Sequence, residues 1–451
     1  MDGRFSRRRL IKGGLVVAAS PLLAPTASAA PALPWPAAEA IVARTKRPVF
    51  PDRTFPVLDF GARGDGKTDD TAAIRKAIET ANARGGGRVV VPKGTFVTGA
   101  VYLRSNVDLH LAAGAVLAFG SDASKFPNVL TRYEGIECVN RSPMIYAYKE
   151  TNIAVTGKGV LDAAGTASWN KGKDREYLES LVAKGIPPEK RIVPGSGHAM
   201  RSTFVEPYSC DTVLIEGITL KNPMFWQLHP TLCRNVTIDG VRTDASTARS
   251  NTDACDPESC DHVVIVNSHL GAHDDNVALK SGRDADGRRI GVPCQNIVVA
   301  NCVMDGNWGA ITCGSEQTGG IRNVYAYQLS VTGETKYGLY VKSNTLRGGF
   351  TENVNLAQVS GTFARSVVYV LPDYNGQTDA HVPRFGPFTL SRSTGTKCGR
   401  AAFDVRGLPS SHVRGLRVSD CRFDGVANTA NTLEHVDDLR FENTTINGEP
   451  V

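Results

Sequence analysis

"DTVLIEGITL" (211–220), "RNVTIDGVRT" (234–243), "DHVVIVNSHL" (261–270) and "QNIVVANCVM" (295–304) share one form. A polar turn residue, often Asn or His, precedes alternating Val, Ile and Leu. The form recurs upstream in "SNVDLHL" (105–111) and "TNIAVTG" (151–157). Downstream it returns in "RNVYAYQLSV" (322–331), "ENVNLAQVSG" (352–361), "SHVRGLRVSD" (411–420) and "EHVDDLRFEN" (434–443). Anchored on Val213, Val236, Val263, Ile297, Val324 and Val354, the steps are 23, 27, 34, 27 and 30 residues. Val354 to Val413 is 59 residues, read as two steps, and Val413 to Val436 is 23. A repeat of this length means a solenoid or a propeller, and a propeller blade of four strands is longer than these steps. Leucine-rich repeats would show a Leu-x-x-Leu frame, which is missing. Short β-branched strands, glycine turns and variable steps predict an all-β fold, a single-stranded right-handed parallel β-helix whose inward residues stack into one apolar core.

Upstream of the repeats, "DFGARGDGKTDDTAAIRKAIETANARGGG" predicts a turn and one amphipathic helix over 69–84. Asp70 or Thr71 caps its start, Ala73, Ile74, Ala77, Ile78 and Ala81 share a face, and Gly85 ends it. Its expected task is to cover the open N-terminal end of the core. The organisation expected is a single β-helix catalytic domain over 53–451, preceded by a Pro/Ala-rich linker at 31–52. A polar stretch at about 163–206 interrupts the repeats as a loop insertion, and such insertions usually project from the binding face.

Residues 1–30 read as an export signal of twin-arginine type. Arg7-Arg8 is followed by Leu10 and Lys12, a short apolar stretch and a small-residue site near Ala29. The apolar stretch is too short to cross a bilayer, which needs roughly 18 residues. No membrane association is therefore expected once the signal is removed, and the chain is expected outside the cytoplasm, periplasmic or extracellular. Arg4, Arg7, Arg8, Arg9 and Lys12 against Asp2 supply four of the formal +6, so the body is near +2. A nucleic-acid partner is not supported by that balance. The ten cysteines show no zinc-ligand spacing, and several, such as Cys210, Cys233 and Cys302, sit beside strand runs as small core residues.

The chemistry lies in "SNTDACDPESC" (250–260) and "GAHDDNVALKSG" (271–282). Adjacent acids such as Asp274 and Asp275 make ionisation harder for each other. Asp253 precedes Asp274 by 21 residues, about one coil, which predicts neighbouring rungs roughly 4.8 Å apart. Three converging carboxyls can keep one protonated while the others stay ionised, as hydrolysis of a glycosidic bond requires. An acid and a base about 6.5–9.5 Å apart would leave room for water and invert the anomeric centre. Clustered carboxylates also suit a calcium ion, the arrangement of a β-eliminating polysaccharide lyase. A non-catalytic carbohydrate-binding β-helix is the third reading.

These residues resemble glycoside hydrolase family 28, the polygalacturonases and relatives, which share a pectin lyase-like parallel β-helix. Asn251-Thr252-Asp253 is similar to the family's N-T-D motif, Asp274-Asp275 with "ALKSG" to its D-D motif, and "GSEQTGGIRNV" (314–324) and "RGG" (347–349) to its exo-acting bacterial members. The resemblance implies secreted, inverting hydrolysis of a pectic polysaccharide or oligogalacturonide, or of rhamnogalacturonan or xylogalacturonan. It implies Asp274 as general acid, with Asp253 and Asp275 activating water, no metal or other cofactor, and a monomer. Asn251, Lys342, Trp308, Tyr340, Arg347, Lys280 and His273 are the expected substrate-side residues. Two of these depart from the family. Trp308 stands in place of the histidine of G-H-G, and Tyr340 in place of the arginine of R-I-K, with Lys342 kept. An arginine grips a carboxylate bidentately and a tyrosine does not. Trp308 is either a sugar-stacking face or a filler between loops. His273 either tunes an acid or only makes a turn. Trp226 and His229 in "FWQLHP" lie near the expected cleft, Trp226 as packing or as sugar contact.

Overall fold

Hydrogen-bonded register carries the fold. In the computed structural model, which describes residues 33–245 and 250–451, Val213, Val236, Val263, Ile297, Val324 and Val354 stand opposite one another on successive parallel strands. All six are buried. The spacing read from the sequence is therefore the ladder itself, and the fold is a parallel β-helix. The export signal at 1–30 lies outside the described residues.

The polar residue before each run has a backbone reason. Asn106, Asn152, Asn235, His262, Asn296, Asn323 and Asn353 adopt φ between 55° and 65°, a left-handed region that Asn tolerates because its short amide bonds locally. The amides then continue from coil to coil: Asn353 Nδ2 donates to Asn323 Oδ1, and Asn323 Nδ2 to Asn296 Oδ1, both at 2.9 Å.

Register departs from expectation at the C-terminal end. Val354 pairs with Phe388, and Phe388 with Leu416, whereas Val413 pairs with Phe385. The intervening coil at 384–391 has no asparagine-led turn, and its two short strands bend the anchor column by three residues. Leu416 pairs in turn with Leu439.

Helix α2 (Thr71–Ala83) buries Ile74, Ala77, Ile78 and Ala81 over the first coils, against Phe55, Val57 and Val89. Asp70 occupies its N-cap position, yet the carboxylate accepts from the Arg63 and Gly64 amides instead of capping the helix. The stretch at 31–52 contains helix α1 (Pro36–Arg44), whose Ala38 and Ile41 pack on the outer faces of Val264, Val266, Val298 and Ala300. This explains why "HVVIV" reads apolar without alternation: those strands are covered on both faces.

The segment at 163–206 holds helix α3 (Arg175–Ala183) and short turns. An antiparallel hairpin, Asn128–Tyr133 with Ile136–Arg141, stands beside it. All ten cysteines are buried and unpaired. Cys210 and Cys233 donate their amides to the sulfurs of Cys233 and Cys260, stacked like the valines. Among the described residues no helix is long and apolar enough to cross a membrane.

Candidate active site

The site grows from a second ladder, the cleft sheet, whose strands Val277–Leu279, Gly309–Gly314, Tyr337–Lys342 and Ser366–Leu371 pair in order. Cys255 stands opposite Val277, so Asp253 is level with Asp275. The 21-residue spacing had pointed to Asp274, which instead sits one residue ahead of that rung and turns toward the solvent side. One carboxylate oxygen from each of Asp253, Asp274 and Asp275 nonetheless lies within 4.8 Å of the others. This is tighter than the 6.5–9.5 Å that separates a facing acid and base.

The three carboxyls have different surroundings. Asp275 accepts from the Gly309 amide at 2.8 Å, the Thr312 hydroxyl at 2.7 Å and the Lys342 ammonium at 3.0 Å, the set of donors an anion needs. Gly309 makes this possible: a Cβ there would lie 2.0 Å from Thr312 Oγ1 and 3.1 Å from Asp275 Oδ1. Asp274, half-buried, accepts among the described residues from two backbone amides, Asn251 at 3.2 Å and Asp275 at 3.0 Å. Asn251 reaches it through a left-handed backbone, φ 60°. Burial and then the neighbouring Asp275 raise Asp274 above the ordinary carboxylate range. Burial, Asp256 and Asp274 raise Asp253 well above it, with Lys280 opposing.

Asp256 escaped the sequence reading, although it lies three residues after Asp253. It is fully buried beneath the cleft floor, and burial pushes it up to about 7 against the pull of Lys280 and His229. Lys280 is no free cation. Its ammonium stands 3.3 Å from Glu316, 3.5 Å from Asp256 and 3.9 Å from Asp253, and 4.4 Å above the Trp226 ring. Trp226 in turn stacks on Phe225 at 4.8 Å, so packing accounts for most of its surface. His229 lies fully buried between Glu258 at 3.0 Å and Glu206 at 3.7 Å. Those two carboxylates push it up to about 9, although burial alone would lower it.

The cleft encloses about 930 Å³. Asn251, Asp253, Asp274, Asp275, Lys280, Trp308, Tyr340, Lys342 and Arg347 all line it, with Arg175, Tyr177 and His198 of the 163–206 segment. His273 is exposed and outside the lining. Glu316 and Arg283, which the sequence reading passed over, form a charged end with Arg347. Burial would raise the Glu316 carboxyl, but Lys280, Arg347 and Arg283 hold it far below its ordinary range.

The sequence pattern of glycosyl hydrolases family 28 matches residues 88–386, two thirds of the chain. The chain belongs to that family. A rhamnogalacturonase A/epimerase, pectate lyase-like pattern matches residues 54–115 of this family 28 chain. It is 27% identical over 384 residues to a probable polygalacturonase of Vitis vinifera, covering 81% of this chain and 73% of the relative. An exo-poly-alpha-D-galacturonosidase of Dickeya chrysanthemi is 26% identical over 431 residues, covering 86% and 70%. The crystal structure of a hyperthermoactive exopolygalacturonase from Thermotoga maritima superposes with a TM-score of 0.85 at 34% identity, covering 92% of this chain and 96% of that one.

Proposed function

We propose that this family 28 chain is an exported glycosidase that hydrolyses pectic polysaccharide by acid/base chemistry, and that it acts as a monomer. The observation that carries the mechanism is the unequal treatment of three adjoining carboxyls. Asp275, held by three donors, bears the negative charge. Asp274, faced by that charge and met among the described residues by two backbone amides, keeps a proton to give to the glycosidic oxygen as the bond breaks. Asp275 then orients and activates the attacking water, with Asp253 beside it. The oxygens' approach to within 4.8 Å is shorter than the separation usual for an inverting pair, so inversion is supported by the family resemblance and not by the spacing. Attack at chain ends is favoured by the wall that Arg175, Tyr177 and His198 add to the cleft and by the exo-acting relatives.

The test is to incubate the purified mature chain with galacturonan, rhamnogalacturonan and xylogalacturonan, following new reducing ends and product anomers by NMR. Saturated products of inverted configuration are expected. An unsaturated product absorbing in the near ultraviolet, or no release of reducing ends from any of the three, would overturn the reading.

A further inference from the structure

Arg201, near the end of the 163–206 segment, is 1% exposed and reaches two other stretches of the chain at once. Its Nη1 donates to the Ser250 carbonyl at 2.7 Å and to the Met224 carbonyl at 3.0 Å, and its Nη2 to Asn251 Oδ1 at 3.0 Å. The guanidinium lies 4.6 Å over the Phe225 ring, which stacks on Tyr133 at 5.0 Å. Lys173, from the same segment, donates to Ser250 Oγ at 2.9 Å. The partners of Arg201 are thus neutral oxygens and a ring face, and among the described residues no carboxylate pairs with it.

A buried charge met in this way gains little stability over an apolar side chain of equal volume. What a guanidinium adds is geometry, because its planar fork fixes several oxygens at once. Two of the oxygens fixed here belong to Ser250 and Asn251, and the Asn251 amide is one of the two donors to Asp274. That bond, at 3.2 Å, lies at the long end of the N–H···O range. It is made from a left-handed backbone, φ 60°, so a small drift of Asn251 would lose it.

We propose that Arg201 is a positioning residue for the hydrolysis: by gripping Ser250 and Asn251 it aims the Asn251 amide at Asp274 and holds the proton-donating carboxyl in one orientation. The inference rests on the hydrolase reading and adds to its machinery a residue outside the acid motifs. Asp274 is otherwise faced by Asp275, Asp253 and the ammonium groups of Lys342, Lys280 and Lys336. Arg201 makes no hydrogen bond or ion pair with any of these among the described residues. Its influence on Asp274 therefore passes through Asn251. The Asn251 amide favours the ionised carboxylate, so without it Asp274 becomes a weaker acid that keeps its proton to higher pH.

The experiment compares the parent with Asn251→Gly, Arg201→Lys and the double variant on the pectic substrate the parent cleaves best, each chain checked by a thermal melt. Glycine keeps the left-handed backbone but lacks the gripped oxygen, and lysine keeps the charge but lacks the fork, so neither change alters net charge. Each single variant should lose about tenfold in kcat, the worth of one hydrogen bond to a charged group, with KM near the parent's. The alkaline limb of its pH–rate profile should move to higher pH, which a general loosening of the fold would not produce. The double variant should match the slower single one, because both changes cut the same link. An unmoved alkaline limb in both single variants, or losses that multiply in the double, would overturn the inference. Should Arg201→Lys not fold, the limb of Asn251→Gly decides alone. A second readout needs no substrate: the Asp274 carboxyl, followed by NMR on isotope-labelled aspartate and identified by its absence from Asp274→Asn, should titrate at higher pH in the same variants. A parent that hydrolyses nothing would refute the hydrolase reading, and an unmoved titration would refute the clamp.

Discussion

Along the cleft sheet, adjacent positions on the same strands lead opposite lives. The inner column reads Val277, Ile311, Leu339, Val368, Phe403, and the outer one reads Ala278, Thr312, Tyr340, Tyr369, Asp404. Every inner residue is buried and apolar, because each must stack on the one below, and only shape varies. The outer residues share the same hydrogen-bonded spacing but no common chemistry. The ladder assigns each side chain an address to within an ångström or so, and what stands there is free to differ from rung to rung. Fold and activity are therefore written on alternate residues of the same strands.

The sharpest way to break the comparison is on the outer side. Asp274→Asn keeps one oxygen acceptor where the carboxylate offered two to the Asn251 and Asp275 amides and has no acidic proton to deliver, so kcat should fall by about 10²–10⁴ while thermal stability stays close to the parent's. A circular-dichroism melt beside the rate assay checks both. The inner counterpart is Ile311→Ala, which empties a fully buried position and should cost about 2–5 kcal/mol. Denaturant titration reads that loss, and the rate per folded molecule should remain near the parent's. One position further on, Thr312→Val keeps the volume but removes a donor 2.7 Å from Asp275. The Gly309 and Lys342 donors remain, so we expect about a tenfold loss in kcat, the value of one hydrogen bond to a charged group, with little change in melting temperature.

The smallest effect concerns pH. The Asp256 carboxyl, pushed up to about 7 by burial, keeps its proton in the folded chain, whereas the unfolded chain ionises from about pH 4, near its ordinary value of 3.8. The folded state binds more protons across that window, so this group's contribution to stability declines as pH rises from about 4 to 7 and is level above it. Asp256→Asn lacks that decline. Melting temperatures of parent and variant should therefore diverge by a few degrees over the window, in the variant's favour toward pH 7, and run parallel at higher pH.

Much of the fold was legible because the core column repeats one residue type after one kind of turn, so six anchors could be aligned by eye. Legibility failed at Val413, where the coil at 384–391 dispenses with its asparagine turn and the column slides by three residues. It failed also at 36–44, where a helix hides in a Pro/Ala-rich stretch and is revealed only by the outer valines it covers. The acids of the site could be read because N-T-D and D-D mark them, yet their alignment could not, since one residue of offset decides whether Asp253 stands level with Asp274 or with Asp275. Asp256, Glu316 and Arg283 matter through burial and mutual charge, and no local pattern announces a partner that lies tens of residues away. Arg132 and Glu258, 3.2 Å apart inside the wall, belong to the same class.

The ten unpaired thiols carry a last consequence. With nine thiols inside the stack and Cys138 buried under the hairpin, this enzyme owes none of its firmness to oxidation. The coils can close in a reducing compartment, ahead of any transit, and buffers rich in dithiothreitol or glutathione should leave the finished molecule as robust as plain saline does.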